Sequence, residues 1–511
     1  VFGLLGFGLF AFGSLARAGT STIPDADVAA ALDAAGPNRS ELERVLDHFA
    51  RDPDPRKLEA ARFLIANMPG HGYVVTRLED ARGNVIPYDP LSYPTYEEAR
   101  AAIDRIAEEY GDDIDFKRDG LVKDVETLRA DYLIRHIDEA FAAWAASPPS
   151  YRVSFQVFLD FLLPFRGSQE PAELWIMPLR SRYAGIWKRS GDEPDPEAVM
   201  KRLWKDIHER MRFNERFYLH PTDLGFAEML ATGQGRCEDL ANMAAYAARS
   251  VALATAQDYT PAWAHRDNNH AWTVILDRRG RGSAPQFAHA AKVYRKAYAA
   301  QRDSLPYQLP EGAKAPNRFL ASRFSIDVTD QYGPTTDVLV TLFPEVAKDE
   351  RFAYLCVFNG GQWVAIDWGR VKEGKAVFDR MGRNVCYLPV VFRDGKQIPA
   401  GAPLLLEKDG TVRFLPGRGP GTRLVAVSAR PRQKSVDTKA VQDVSYLIPG
   451  ETYVLQAWTP RGWQVLAMEE ATERPLVFEG LATDGLYWLV AHTSRRLERI
   501  FTLENDHQRW W

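Results

Sequence analysis

Cysteine is scarce, with only Cys237, Cys356 and Cys386 in 511 residues. That excludes a disulfide-built scaffold, and the lack of any C-x-x-C or Cys/His cluster excludes a structural zinc site. An excess of charge of one sign is also missing. Lys+Arg number 64 against 68 Asp+Glu, for a net charge of −4. With no basic stripe, nothing marks the chain as a nucleic-acid binder. Beyond the N-terminus no apolar run is long enough to cross a bilayer, so stable membrane insertion is not expected. Low-complexity segments are absent, and no internal repeat is legible.

What is present points to a multidomain globular chain. The length predicts two to four cores. Val1–Leu15 is almost wholly apolar and is followed by Ala16-Arg17-Ala18. This has the form of a secretory hydrophobic region and cleavage site over residues 1–18, so a secreted or periplasmic location is expected. A buried N-terminal helix is the alternative. Residues 25–150 read as helical. Leu58, Ala61, Phe63, Leu64 and Ile65 form one apolar stretch ended by Pro69-Gly70; Leu133, Ile137, Ala140, Phe141 and Trp144 form another ended by Pro148-Pro149. After residue 319 the text changes to short strands. Asn359-Gly360-Gly361, Asp394-Gly395 and Asp409-Gly410 mark hairpins, and Asp484-Gly485 precedes a further strand. Two β-rich modules, 319–415 and 416–511, are expected, with Pro416–Pro420 at their boundary. Cys356 and Cys386 fall in this half. One disulfide between them and two buried reduced thiols are both open. Trp458, Trp463, Trp488, Trp510 and Trp511 are candidates for stacking on sugars, against the plainer reading of core packing.

The chemistry concentrates between Gly233 and Asp277. Gly233 and Gly235 permit a tight turn, and Leu240, Met243, Ala244, Ala247 and Val251 then recur at helical spacing. Cys237 would open that helix, where free N–H groups and the dipole favour a thiolate. Glu238 and Asp239 oppose that effect if they lie close. His270 begins the β-prone run Ala271-Trp272-Thr273-Val274-Ile275-Leu276. An imidazole there is placed to take a thiol proton and return it to a leaving group. Taken alone, a core histidine bonded to a carbonyl is the plainer reading.

G-x-C before an Ala-rich helix, then H-A-W at a strand start, resembles the transglutaminase-like superfamily of papain-related cysteine enzymes. Upstream words strengthen the resemblance to large secreted bacterial members: Ala60–Ile65 with Asn67-Met68-Pro69, Leu163-Pro164-Phe165-Arg166 before Glu170-Pro171, Asp258-Tyr259-Thr260-Pro261, and Lys292–Lys296. The resemblance implies an α+β fold: a helical N-terminal region and a transglutaminase-like (papain-like) core over 151–318, followed by all-β sandwich modules. It implies Cys237 as nucleophile and His270 as its base, acting on the amide of a protein, peptide or glycopeptide as peptidase, amidase or transglutaminase. It places Arg166, Glu170 and Trp175 beside the cleft, with a buried ion pair and packed indole as the alternative. Trp263 is read the same two ways. No cofactor is implied, and the calcium requirement of some transglutaminases has no ligand motif here.

The superfamily's orienting Asp, fifteen to twenty residues past the histidine, has no counterpart in Pro285–His289. Asp277 is taken as the third site residue from its place in the motif run, although at about 3.3 Å per residue it lies roughly 20 Å along a straight strand. Gln286, His289, Asp267, Asn268 and Asn269 are further candidates. A catalytically inactive binding or scaffold protein on this fold, with β modules that bind glycan or protein, is the competing expectation.

Overall fold

The computed structural model describes residues 23–511 except 112–113, 189–193, 221, 284–289, 349, 432–444 and 495–497. The signal-like segment 1–18 lies outside the described residues.

Helices dominate the first part. Helix Pro55–Asn67 starts with Pro55 in its first turn and the Asp54 carboxylate accepting from Arg56 N at 3.0 Å. Ala60, Ala61, Leu64 and Ile65 are buried on it. Helix Ala130–Ala146 buries Leu133, Ile137, Ala140, Phe141 and Trp144. The helical reading of this region misses one element. Strands Gly72–Glu79 and Asp115–Lys123 form an antiparallel ladder flanking helix Tyr96–Tyr110. Tyr73-Val74-Val75-Thr76 supplies the aromatic and β-branched residues that favour it.

The central layer is a five-stranded antiparallel sheet in the order Gly282–Ser283, His270–Leu276, Thr255–Thr260, Tyr294–Lys296, Ser325–Asp327. Helix Cys237–Ser250 packs across it. Ala244, Ala247 and Ala248 share one buried cluster with Ala256, Val274 and Leu276. Small alanines let helix and sheet approach closely.

The remainder is two β units that repeat one plan. The first runs Thr335–Thr341, Phe352–Asn359, Gln362–Lys372, Lys375–Gly382, Val385–Arg393, Leu404–Leu406 and Val412–Phe414, with Lys396–Pro399 as an extra edge. The second runs Gly421–Ala426, Thr452–Thr459, Gly462–Glu470, Leu476–Ala482, Tyr487–Ala491, Ile500–Glu504 and His507–Trp510. In each, the first strand pairs the fourth, the second pairs the third and fifth, and the sixth joins the fifth to the seventh. The irregularities coincide as well. Register shifts fall between Thr336/Val338 and Thr422/Leu424, and between Leu355/Cys356 and Leu455/Gln456. The first bulge takes a left-handed residue in both units, Arg380 at φ 49° and Gly480 at φ 74°. Tyr387 Oη donates to Gly382 O at 2.6 Å, and Tyr487 Oη to Ala482 O at 2.8 Å. The repeat is in pairing and bulges, which a search for similar words does not see.

Strand Phe352–Asn359 is buried throughout because both its faces are covered. Ala353, Leu355 and Val357 enter the unit's own core, while Cys356 and Phe358 enter a second cluster with Leu486, Ile500 and Trp511 of the other unit. Cys356 and Cys386 are both buried and free. Cys356 faces Leu388, so Cys386 is a diagonal neighbour, at about 7–8 Å too far for a disulfide. Burial pushes both thiols up.

Candidate active site

The chain enters the cysteine helix through a constrained turn. Gly233 ends helix Phe226–Thr232 at φ 58°, where glycine is favoured. Gln234-Gly235 then runs parallel to Arg212-Phe213, with Arg212 N donating to Gly233 O and Asn214 N to Gly235 O, each at 2.9 Å. A Cβ on Gly235 would lie 2.7 Å from Asp239 Cβ and 2.8 Å from Met211 Cε, so the approach requires glycine. The Asp239 carboxylate accepts from Arg236 N at 2.8 Å and Leu224 N at 3.0 Å. It therefore closes the helix start. Burial nevertheless raises its pKa above the ordinary carboxylate value. Glu238 turns to Lys296 of the sheet at 3.3 Å, and Arg236 pairs with Asp223. Both acids that follow the thiol thus have partners of their own.

Cys237 is the first residue of this helix, and it is exposed. Its Sγ lies 3.4 Å from Tyr218 Oη, and this contact raises the Tyr218 phenol above its usual value. Tyr218 is 53% exposed and Phe213 51%, with ring centroids 6.0 Å apart. They form an apolar shelf at the thiol. Sequence reading passes over both, because a two-residue parallel bridge brings Phe213 to the cysteine turn and no local pattern announces it.

His270 opens its strand opposite Thr260 and is exposed. Its ring stacks beside Trp272 at 5.5 Å and Trp263 at 6.3 Å. Trp272 is itself anchored. Its Nε1 donates to Tyr332 Oη at 2.7 Å, and Tyr332 Oη donates to Asp258 Oδ2 at 2.7 Å. Arg295 grips both Asp258 oxygens, at 2.7 and 2.8 Å. Asp258 and Arg295 are buried, and burial beside Asp258 pushes the Tyr332 phenol far up. The words Asp258-Tyr259 and Val293–Lys296 thus encode a buried ion pair that seats an indole against the histidine.

Asp277 lies past the far end of the histidine strand. Its Oδ1 accepts from Arg279 N at 2.8 Å and Arg281 N at 2.9 Å, which caps the turn into Gly282–Ser283. The structure does not bring it to His270. Asp267 accepts from Gly360 N at 2.7 Å, Asn268 is left-handed at φ 69°, and Asn269 is exposed. Gln286 and His289 lie outside the described residues. Among the described residues no side chain hydrogen-bonds the His270 ring. None of Arg166, Glu170 and Trp175 is on a cleft wall. Arg166 pairs with buried Asp124, Glu170 accepts from Tyr246, and Trp175 Nε1 donates to Phe165 O at 2.8 Å. Trp458, Trp463 and Trp488 pack edge-on or tilted with Phe358 and Trp363, Trp510 packs on Phe501, and Trp511 is buried. Among the described residues no group of three His, Cys, Asp or Glu could hold a metal ion, and no helix is long and apolar enough to cross a membrane.

The segment that carries both Cys237 and His270 has a family. Residues 187–284 match the model of the transglutaminase-like superfamily. No curated protein and no solved structure matches the chain. The transglutaminase-like domain spans the cysteine turn, its helix, the central strand and the histidine strand. The sheet is completed by Tyr294–Lys296 and Ser325–Asp327, beyond the match.

Proposed function

We propose that this chain is a secreted cysteine enzyme with a papain-like core that cleaves or transfers amide bonds through a thioester on Cys237. The observation that carries the reading is an exposed thiol on the first residue of a helix inside a transglutaminase-like domain. Cys237 Sγ attacks the amide carbonyl and its proton passes to His270. The oxyanion faces the free N–H groups of the first helical turn. As the C–N bond breaks, His270 returns the proton to the departing amine. Water then gives a carboxylic acid, or a second amine gives a new amide, and either releases the thiol. The substrate is a protein, peptide or glycopeptide. The Phe213–Tyr218 shelf favours an apolar or aromatic residue beside the reacting amide.

The test is the rate of iodoacetamide labelling of Cys237 against pH, in the parent and in His270→Ala. Rapid labelling at neutral pH, at least tenfold slower in the variant, supports the pair and justifies amide-substrate screens. Slow labelling that ignores the substitution refutes it. A second reading is a non-catalytic binding protein, favoured by Asp277, whose carboxylate caps its own turn past the far end of the histidine strand. In that case the β units would carry the ligand, and polysaccharide affinity of the full chain in the Cys237→Ala variant measures it.

A further inference from the structure

The connection from Thr260 to His270, residues Pro261–Asn269, turns the carbonyls of Trp263, Ala264, Arg266 and Asn268 toward the two β units. Besides Thr260 Oγ1 on Ala262 O at 3.2 Å and Trp263 N on Asn268 O at 3.1 Å, a set of donors reaches it from there. Asn359 Nδ2 lies 3.0 Å from each of three acceptors, Trp263 O, Arg266 O and Asn268 O. Gly360 N donates to Asp267 Oδ1 at 2.7 Å. Arg499, from the second unit, donates to Ala264 O and reaches Asp267 Oδ1 at 3.4 Å. The same guanidinium also donates to Phe358 O at 2.8 Å and Trp511 O at 3.2 Å, so it bolts the two units together beneath the loop. Asn359 and Arg499 are buried. Arg499 is lowered to about 10 by that burial and is charged at neutral pH.

We propose that Asn359 and Arg499 are positioning residues for His270, and that the junction of the β units is a clamp on the histidine loop. The inference rests on the reading of His270 as the proton shuttle. A nine-residue connection between paired strand ends is long enough to wander. Donors spaced along it fix its path, and with it the Trp263 ring beside the imidazole. Buried carbonyls that lose their donor bear a desolvation penalty, so the loop shifts when the clamp is removed. The asparagine sits at the first position of the Asn359-Gly360-Gly361 hairpin, whose two left-handed glycines, φ 57° and 74°, turn the tip onto the loop.

The test uses the full chain with Asn359→Ala, Arg499→Gln and the milder Asp267→Ala, which removes two bonds at a partly exposed loop residue. Amide hydrogen exchange over 261–270 reads the loop, and iodoacetamide labelling reads the thiol. Each variant is also made in the His270→Ala background. The clamp predicts at least tenfold faster loop exchange with exchange elsewhere in the sheet unchanged. It also predicts slower labelling in the parent background and no further slowing once His270 is gone. Unchanged loop exchange in Asp267→Ala and Asn359→Ala overturns the clamp. Slowing that persists without His270 overturns the positioning role, because it reports general damage. If the parent thiol already ignores His270, the enzyme reading fails and the positioning role fails with it. Hydrogen exchange then still decides whether the loop is clamped.

Discussion

Among the described residues, the thiol of Cys237 has one side-chain neighbour within hydrogen-bond reach, the phenol of Tyr218. A hydroxyl that hydrogen-bonds the attacking sulfur contributes about 1 kcal/mol. Tyr218→Phe should therefore slow alkylation of Cys237 at neutral pH by up to about fivefold while leaving the fold intact, which circular dichroism and labelling rates measure together. Asp277 gives the opposite pattern. Its carboxylate holds two backbone N–H groups of the turn. Asp277→Ala should cost about 1 kcal/mol in urea unfolding and leave the alkylation rate unchanged. Rates that fall as they do in His270→Ala would restore Asp277 to the site. Cys237 and His270 are prominent in the text because a glycine turn, an alanine-rich helix and a β-branched strand are local patterns. Tyr218, Phe213 and Asn359 are silent because each reaches the site across a long sequence separation.

At the scale of elements, the helices and hairpins were readable from apolar spacing and Asn-Gly or Asp-Gly turns. Ladder Gly72–Glu79 with Asp115–Lys123 was not, since its partners are separated by a whole helix. The duplicated β plan was hidden for another reason. A pleated strand accepts many apolar residues, so equivalent strands diverge while bulges and pairings persist. Equivalence makes a direct prediction. Tyr387 and Tyr487 are both buried and both bond a carbonyl five residues upstream. Tyr387→Phe and Tyr487→Phe should each destabilise by about 1–2 kcal/mol, and the double variant should lose the sum, because the rings lie in separate cores.

Across the whole molecule, the core sheet and the first β unit are joined by a buried charge cluster. Lys292 Nζ meets Asp327 at 2.6 Å and Asp367 at 3.2 Å. Burial holds the Asp367 carboxyl at about 6, against an ordinary 3.8. Between those values the folded chain keeps a proton that the unfolded chain has released, so stability falls as pH rises from about 4 to about 6, by at most about 3 kcal/mol. Asp367→Asn should reduce the slope of that segment of a stability–pH curve from urea titration, leaving the share of Asp160, which burial likewise raises to about 6. A slope left unchanged by the substitution would assign the proton elsewhere. A second feature of the same kind reaches further. Asp258 lies inside the matched segment, but its partners Arg295 and Tyr332 lie outside it. A fragment of residues 187–284 would retain a buried carboxylate with neither cation nor phenol, a loss of about 3–5 kcal/mol. It should fail to give a cooperative thermal transition. The segment that matches the family model is thus smaller than the portion that must be inherited together. Cys237 and His270 therefore could not be shuffled into a new protein as a cassette without carrying the downstream strands along.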